Sequence, residues 1–359
     1  MKTGLYIHAP FCKSKCPYCD FYSLSDISLA DEYTKKVIGL VAEGGRLFDT
    51  LYIGGGTPSV LGGERLQKII CAANLSENAE ITVECNPSSA DEKLFTALAA
   101  AGVNRISMGL QSAVEEERKS LGRLSGRERA HEAVMQCRKA GIENISLDLM
   151  LGIPGQTLAS LDESLDFCLS LGVPHISAYM LKIEEGTVFY KRECAGALPL
   201  PGEDETCEMY LHTVKTLKKH GLYQYEISNF ARPGMEGRHN LNYWDCGEYL
   251  GIGPAAHSFI NGKRFYYESR IRDFLNGKPP VDDGTGGDFE EYVMLRLRLA
   301  EGLRENAVKE RFHRSIPSEY YEKARFYASK GLVNIFDDGF ALNENGFLLS
   351  NSVIGSFLT

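Results

Sequence analysis

Residues 6–22 read YIHAPFCKSKCPYCDFY, and this stretch decides the fold. Cys12, Cys16 and Cys19 stand in a C-x3-C-x2-C spacing inside one short loop. Pro10, Pro17 and the Lys13-Ser14-Lys15 run break any continuous helix or strand there. Such a loop folds its thiols inward around one object, and thiolates are soft ligands that suit zinc or an iron–sulfur cluster. A closed zinc site takes four ligands, usually as two C-x2-C pairs or with His partners. A cubane cluster normally takes four cysteines. Three thiols hold three irons of a [4Fe–4S] cluster and leave the fourth iron open to a chelating small molecule. A zinc knuckle, or a set of buried structural thiols, is the competing reading.

Working outward, the chain has 359 residues, enough for a large barrel and a second domain. Hydrophobic residues at 43% and charged residues at 24% are ordinary for a soluble globular protein. A net charge of −9 argues against broad electrostatic binding of nucleic acid. No apolar run approaches the length of a membrane span, which leaves only peripheral membrane contact open. The N-terminus leads straight into a strand-like run without a secretory signal. Ten cysteines, three of them clustered, fit a reducing cytoplasm better than a disulfide framework. Cys71, Cys137, Cys168 and Cys207 fall in helical patterns and are expected to be small apolar fillers.

Short apolar runs alternate with longer amphipathic ones. Strands are expected at 5–8, 50–53, 81–85, 105–108, 145–150 and 175–179. Helices are expected at 29–44, 64–74, 91–101, 127–140, 158–171 and 204–220. Gly102, Gly141, Gly172 and Gly221 stand where helix C-caps belong. The alternation predicts an α/β protein with parallel strands. Six units fit a partial (β/α)6 barrel, in which chemistry gathers at the C-terminal ends of the strands.

Unusual residues sit at those ends. Gly54-Gly55-Gly56-Thr57-Pro58 follows strand two, where glycines let backbone N–H groups approach a ligand. Glu84 ends strand three in a run that should be buried, so it needs a partner such as a cation or a hydroxyl-rich ligand. Gln111 and Arg123 follow strand four, Asp148 lies in strand five, and Ala178 closes strand six. A structural salt bridge or cap is the plain alternative for each acid or base.

After Gly221 the rhythm stops. His239-Asn240-Leu241-Asn242-Tyr243-Trp244 holds the single Trp of the chain, and His257 follows. Flat aromatic surface beside an imidazole suits a porphyrin whose iron takes an axial His. A hydrogen-bonded core histidine is the plain alternative. Residues 277–288 read as a linker. Beyond it come helical patterns at 289–299 and 318–329, a hairpin at 332–335 and 340–342, and a helix at 346–357. Helices followed by a hairpin suggest a winged-helix-like module. Residues 281–359 hold 13 acids and 9 Lys plus Arg, so this module is expected to pack or dock and not to bind DNA. The expected domains are 1–230, a connecting segment 231–280, and 281–359.

The cysteine spacing, with Tyr18 before the last Cys, resembles the cluster signature of radical S-adenosylmethionine (SAM) enzymes. Tyr6-Ile7-His8 and Pro10-Phe11 before it, with Asp20-Phe21 after it, make the chain similar to the oxygen-independent coproporphyrinogen oxidase group and its HemW-type heme chaperone relatives. The resemblance implies a [4Fe–4S] cluster on Cys12, Cys16 and Cys19, and SAM contacts at Tyr6, Tyr18, Gly55, Gly56, Thr57, Glu84, Gln111, Arg123, Asp148 and Ala178. It also implies heme contacts at His239, Asn240, Tyr243 and Trp244, because H-N-x-x-Y-W is the motif associated with heme in the HemW type. Ala255 stands where relatives usually carry Gly. The dehydrogenases of the group carry a further Cys two residues after the third cluster Cys, where this chain has Phe21. The resemblance therefore favours a heme chaperone that passes heme to acceptor proteins, with an electron donor for the cluster and a homodimer as expected partners. An oxygen-independent coproporphyrinogen III dehydrogenase, or another radical SAM enzyme, is the alternative.

Overall fold

The computed structural model describes residues 3–43, 45–123 and 125–358. The six expected strands form, as β1 (Thr3–Ala9), β2 (Phe48–Gly55), β3 (Leu75–Cys85), β4 (Arg105–Gln111), β5 (Asn144–Leu151) and β6 (His175–Met180). Each pairs with the next in parallel register. The six expected helices lie between and after them, at Ala30–Glu43, Gly63–Ala72, Glu92–Ala100, Arg127–Lys139, Leu158–Ser170 and Glu203–Lys219. The expected end of the first, Gly44, lies outside the described residues. Gly102, Gly141, Gly172 and Gly221 all adopt the left-handed conformation that stops a helix.

Strand side chains alternate in direction, and here the two faces differ in kind. One face carries Leu5, Ile7, Leu51, Ile53, Val83, Ile106, Ile145, Leu147 and Ile176, all with no exposure. They pack beneath the helices and form the core. The other face carries Tyr6, Tyr52, Thr82, Glu84, Arg105, Ser107, Asp148, Ser177 and Tyr179, and it lines the bore. Register aligns this polar set across the sheet: Tyr6 pairs with Tyr52, Thr82 with Arg105, Glu84 with Ser107, and Asp148 with Ser177.

The sheet does not stop at six strands. Among the described residues it has twelve, in the order β12-β11-β10-β9-β1-β2-β3-β4-β5-β6-β8-β7. Beyond β6 lie β7 (Tyr223–Glu226) and β8 (Asn229–Ala231), both antiparallel. Beyond β1 lies β9 (Glu248–Ile252), parallel, and then the antiparallel β10 (His257–Ile260), β11 (Lys263–Tyr266) and β12 (Val281–Thr285). The segment 231–280 thus contributes strands to the barrel sheet. The stretch 277–288, expected as a linker, contains an edge strand. Its Gly and Asp residues disguise it, because an edge strand needs hydrogen bonds on one side only and no apolar face.

Among the described residues the C-terminal module packs five helices around β13 (Leu303–Arg304), β14 (Val333–Phe336) and β15 (Gly339–Leu342), in the antiparallel order β13-β15-β14. Its centre is Phe340, stacked on Phe357 at 5.2 Å. Backbone bonds from Ile227 N–H to Arg298 and from Ala300 N–H to Tyr225 tie the module to β7 and the turn after it. Of the four helical cysteines, Cys137 and Cys168 are buried fillers as expected. Cys71 is exposed and Cys207 half-buried, because helical periodicity alone does not say which helix face meets the sheet.

The unusual Ala255 lies at φ +67°. An L-residue there is strained by roughly 1–2 kcal/mol, and glycine gives back about 0.4–1 kcal/mol through the unfolded chain. Ala255→Gly is expected to stabilise the protein by roughly 0.5–1 kcal/mol, read as a higher urea midpoint at unchanged slope. A lower midpoint would show that the methyl's packing outweighs the strain.

Candidate functional site

The cysteine loop leaves β1 at its C-terminal end and is held by its edges. Cys12 N–H donates to Leu24 O at 2.9 Å, and Leu24 N–H donates back to Pro10 O at 2.8 Å. Cys12, Cys16 and Cys19 are all half-buried and line one cavity of about 350 Å³. Among the described residues no three Cys, His, Asp or Glu side chains converge as ligands of one ion would. A cluster asks for something else, because each thiolate takes a different iron and the sulfurs stand around a larger object. Burial holds the Cys19 thiol above its usual value.

The glycine run after β2 closes against this loop. Gly56 N–H donates to Ala9 O at 2.9 Å and Thr57 N–H to Phe11 O at 2.7 Å. These two N–H groups are therefore spent on the end of β1 and the start of the cysteine loop, not free for a ligand as expected. A Cβ on Gly56 would stand 2.7 Å from Phe11 O and 2.8 Å from Ala9 O, and one on Gly55 would meet the His8 ring at 2.5 Å. The glycines bring the two strand ends together. Thr57 Oγ1 then lies 3.4 Å from Cys12 Sγ.

Tyr18, Gly55, Gly56, Thr57, Glu84, Gln111, Arg123 and Asp148 line the cysteine cavity. Arg123 donates to the Tyr18 hydroxyl at 2.9 Å through Nη2. Gln111 adopts φ +72° at a register shift between β4 and β5, and its Oε1 accepts from Tyr179 at 2.8 Å. A bulge beside a site re-aims a side chain in this way. Two expected contacts do not line the cavity. Ala178 sits among the apolar outward positions of β6, 1% exposed, with its N–H on Ser228 O. Tyr6 faces a second cavity and hydrogen-bonds the His8 ring at 3.1 Å.

The bore acids are dressed by hydroxyls. Tyr52 donates to Glu84 Oε1 at 2.7 Å, and Ser107 to Asp148 Oδ1 at 3.1 Å. Burial pushes Glu84 up to about 7, against the pull of the Tyr52 bond, and burial likewise raises Asp148. The partner that Glu84 needs is thus a tyrosine of the neighbouring strand.

The second cavity, about 570 Å³, is lined by Tyr6, Tyr52, Glu84, His239, Asn240, Tyr243, Tyr249, His257 and Phe259 among others. The motif forms a short helix, Arg238–Trp244. His239 is 1% exposed and engaged on both nitrogens: Nδ1 with Thr50 Oγ1 and Nε2 with the Tyr243 hydroxyl, each at 2.7 Å. It also stacks on Tyr52 at 5.2 Å. Burial pushes it down to about 3, so it is neutral. Trp244 does not line the cavity; it hydrogen-bonds the buried Glu226 and lies under Arg298. His257, by contrast, presents a side chain 58% exposed to this cavity, stacked on Tyr266 at 5.0 Å, with Nδ1 3.9 Å from Asp283.

Sequence reasoning passed over Tyr52, Arg105, Ser107 and Ser177. The available signal was parity: each shares the inward alternation of a strand that already holds Glu84 or Asp148, or pairs with one that does.

Glu84 yields a pH test. Its carboxyl is raised in the folded chain above the usual value of 4.5. Folding therefore opposes its ionisation, and the parent loses stability as pH rises from about 4.5 to 7. Glu84→Gln keeps an acceptor for Tyr52 and cannot ionise. Its stability relative to the parent is expected to climb by about 3 kcal/mol across that window and to level off above it, in urea titrations of the metal-free chain. A pH-independent difference would place the ionisation elsewhere.

Comparison with known proteins gives a consistent relationship. The model of the radical SAM superfamily matches residues 6–168, and that of the HemN C-terminal domain matches residues 288–349. The heme chaperone HemW of Bacillus subtilis is 36% identical over 378 aligned residues, covering 100% of this chain and 99% of that one. The heme chaperone HemW of Escherichia coli is 34% identical over 390, covering 99% and 98%. Coproporphyrinogen III oxidase (HemN) from Escherichia coli, a radical SAM enzyme, superposes with a TM-score of 0.83 over 100% of this chain and 90% of its own, at 20% identity, a likeness of fold. With end-to-end similarity at this level, and a partial barrel followed by the C-terminal module, the chain belongs to the HemW-type branch of the radical SAM, oxygen-independent coproporphyrinogen III oxidase-like family.

Proposed function

We propose that this protein is a heme chaperone, which holds heme against its second cavity and hands it to acceptor proteins, and which carries a SAM-binding [4Fe–4S] cluster in the cysteine cavity. The observation that carries this reading is that the two cavities meet at Glu84, which borders both. Cys12, Cys16 and Cys19 are the residues that hold the cluster; their number, softness and common cavity fit it. When bound, the cluster supplies an electron to the SAM sulfonium, drawn from a donor outside the chain. Arg123 with Asp148 offers charges of both signs to the zwitterionic amino-acid end of SAM. Gly55, Gly56 and Thr57 shape the wall that brings the cysteine loop beside them.

The heme face is Tyr243, Tyr249 and Phe259, flat and apolar, with Asn240 at its border. His239 serves this face by locking the Tyr243 hydroxyl and β2 together. His257 is the better iron ligand. Its ring is exposed to the cavity, and Asp283 stands on the Nδ1 side, the usual second partner of a metal-binding imidazole. Phe21, 61% exposed, borders the cysteine cavity where a dehydrogenase of the group carries Cys.

Two experiments test the reading. Cys16→Ala is expected to lose the bound iron and sulfide after anaerobic reconstitution; retention of both would remove the cluster from this loop. His257→Ala is expected to lower and shift the Soret band of the heme complex more than His239→Ala, with no coproporphyrinogen III decarboxylation by the parent. The opposite ranking would return the ligand to His239, and sustained turnover would replace the chaperone by the dehydrogenase.

A further inference from the structure

The bore of the barrel holds a guanidinium whose hydrogen-bond donors no described group fills, although the charges of Glu84 and Asp148 act on it from a distance. Arg105 opens β4 and is 3% exposed. It lines a third cavity of about 490 Å³ that runs along the bore. Its guanidinium makes no hydrogen bond and no ion pair with any described residue, and its Nε is sealed from solvent without a partner. Thr82, its neighbour in register on β3, also leaves a buried Oγ1 unpaired. The acids of the bore are engaged elsewhere: Glu84 with Tyr52, Asp148 with Ser107, and Glu80 with the backbone N–H groups of Arg238 and His239. A buried guanidinium whose donors stay unfilled is costly even with carboxylates farther off in the same bore, and a ligand oxygen would relieve that cost.

The shape of the neighbourhood narrows the ligand. A planar guanidinium fork matches a carboxylate. Glu84 and Asp148 in the same bore repel a multiply charged phosphate more than a single carboxylate. The bore cavity shares Tyr52, Glu84 and Asn240 with the aromatic cavity, so an acid arm on a flat ring in one enters the other. Asn240 stands at that junction with its side-chain amide on no described partner, which leaves a donor at the entrance.

We propose that Arg105 binds a propionate carboxylate of the tetrapyrrole seated in the aromatic cavity, with Asn240 at the passage between the two cavities. This rests on the heme reading above and assigns heme a handle besides its iron. It gives a role to an arginine at an inward position where the bore acids act on its charge but do not hydrogen-bond it.

The test compares hemin with hemin dimethyl ester, titrated into the full, anaerobically reconstituted protein and into Arg105→Gln. The parent is expected to bind the free acid roughly 10- to 100-fold more tightly than the ester. Arg105→Gln is expected to bind the two alike, at close to the ester's affinity for the parent. SAM binding by the variant is expected to stay within about twofold of the parent, since Arg105 does not line the cysteine cavity. Equal affinity of the parent for acid and ester overturns the proposal, as does a preference that survives in Arg105→Gln. If that variant also loses SAM and has therefore misfolded, Arg105→Lys takes its place, and it is expected to keep a reduced preference for the acid. Binding of neither form by the parent sinks the heme reading itself, an outcome distinct from a parent that binds heme without regard to its propionates.

Discussion

A parallel strand sends successive side chains to opposite faces, and in this chain that period of two separates oil from charge. The outward set is almost wholly Leu, Ile and Val, and the helices cover it. The inward set is Tyr, Ser, Thr, Glu, Asp and Arg, placed beside one another by register. Barrels whose bores are packed with branched apolar residues are solid. This one trades that packing for an interior in which acids accept from hydroxyls, and a guanidinium beside them makes no hydrogen bond. Charges in such a place carry large desolvation penalties. Their presence marks the bore as a place for polar guests.

The cysteine loop depends on the same sheet. It has no regular structure of its own, and its position is inherited from the ends of β1 and β2. Gly56 and Thr57 deliver their N–H groups to Ala9 and Phe11, and a single methyl on Gly56 would collide with both carbonyls. The glycine run therefore acts on the cysteine loop through the backbone of a neighbouring strand. Its absence of side chains allows two strand ends to close, which sets where the three thiols begin.

The His-Asn-x-x-Tyr-Trp motif divides its labour along one short helix. His239 faces inward and ties Tyr243 to β2; Asn240 and Tyr243 face cavities; Trp244 turns to Glu226, which burial pushes up to about 7, and to Arg298 beyond it. Arg298 belongs to the C-terminal module, whose backbone also bonds to the residues around β7. The motif is thus a bracket between barrel and module as well as a cavity wall. That gives the acidic C-terminal module a structural attachment to the aromatic cavity.

The sequence by itself determined the six strand–helix units, their glycine stops, the loop of three thiols and the presence of acids at strand ends. These are legible because periodicity, caps and ligand spacing are local properties of the chain. Only the tertiary structure decided that the sheet runs on through β9–β12, that the glycine run serves the cysteine loop, that Ala178 points away from the cavity, and that His239 is committed on both nitrogens. The partner of its Nδ1, Thr50, lies 189 residues away in the chain. Arg105 reads as an ordinary strand-opening arginine until register sets it in the bore beside Glu84 and Asp148 with its donors unfilled. Which strand lies next to which, and which face closes inward, are outcomes of long-range pairing; a local pattern records that a residue is polar, not what stands opposite it.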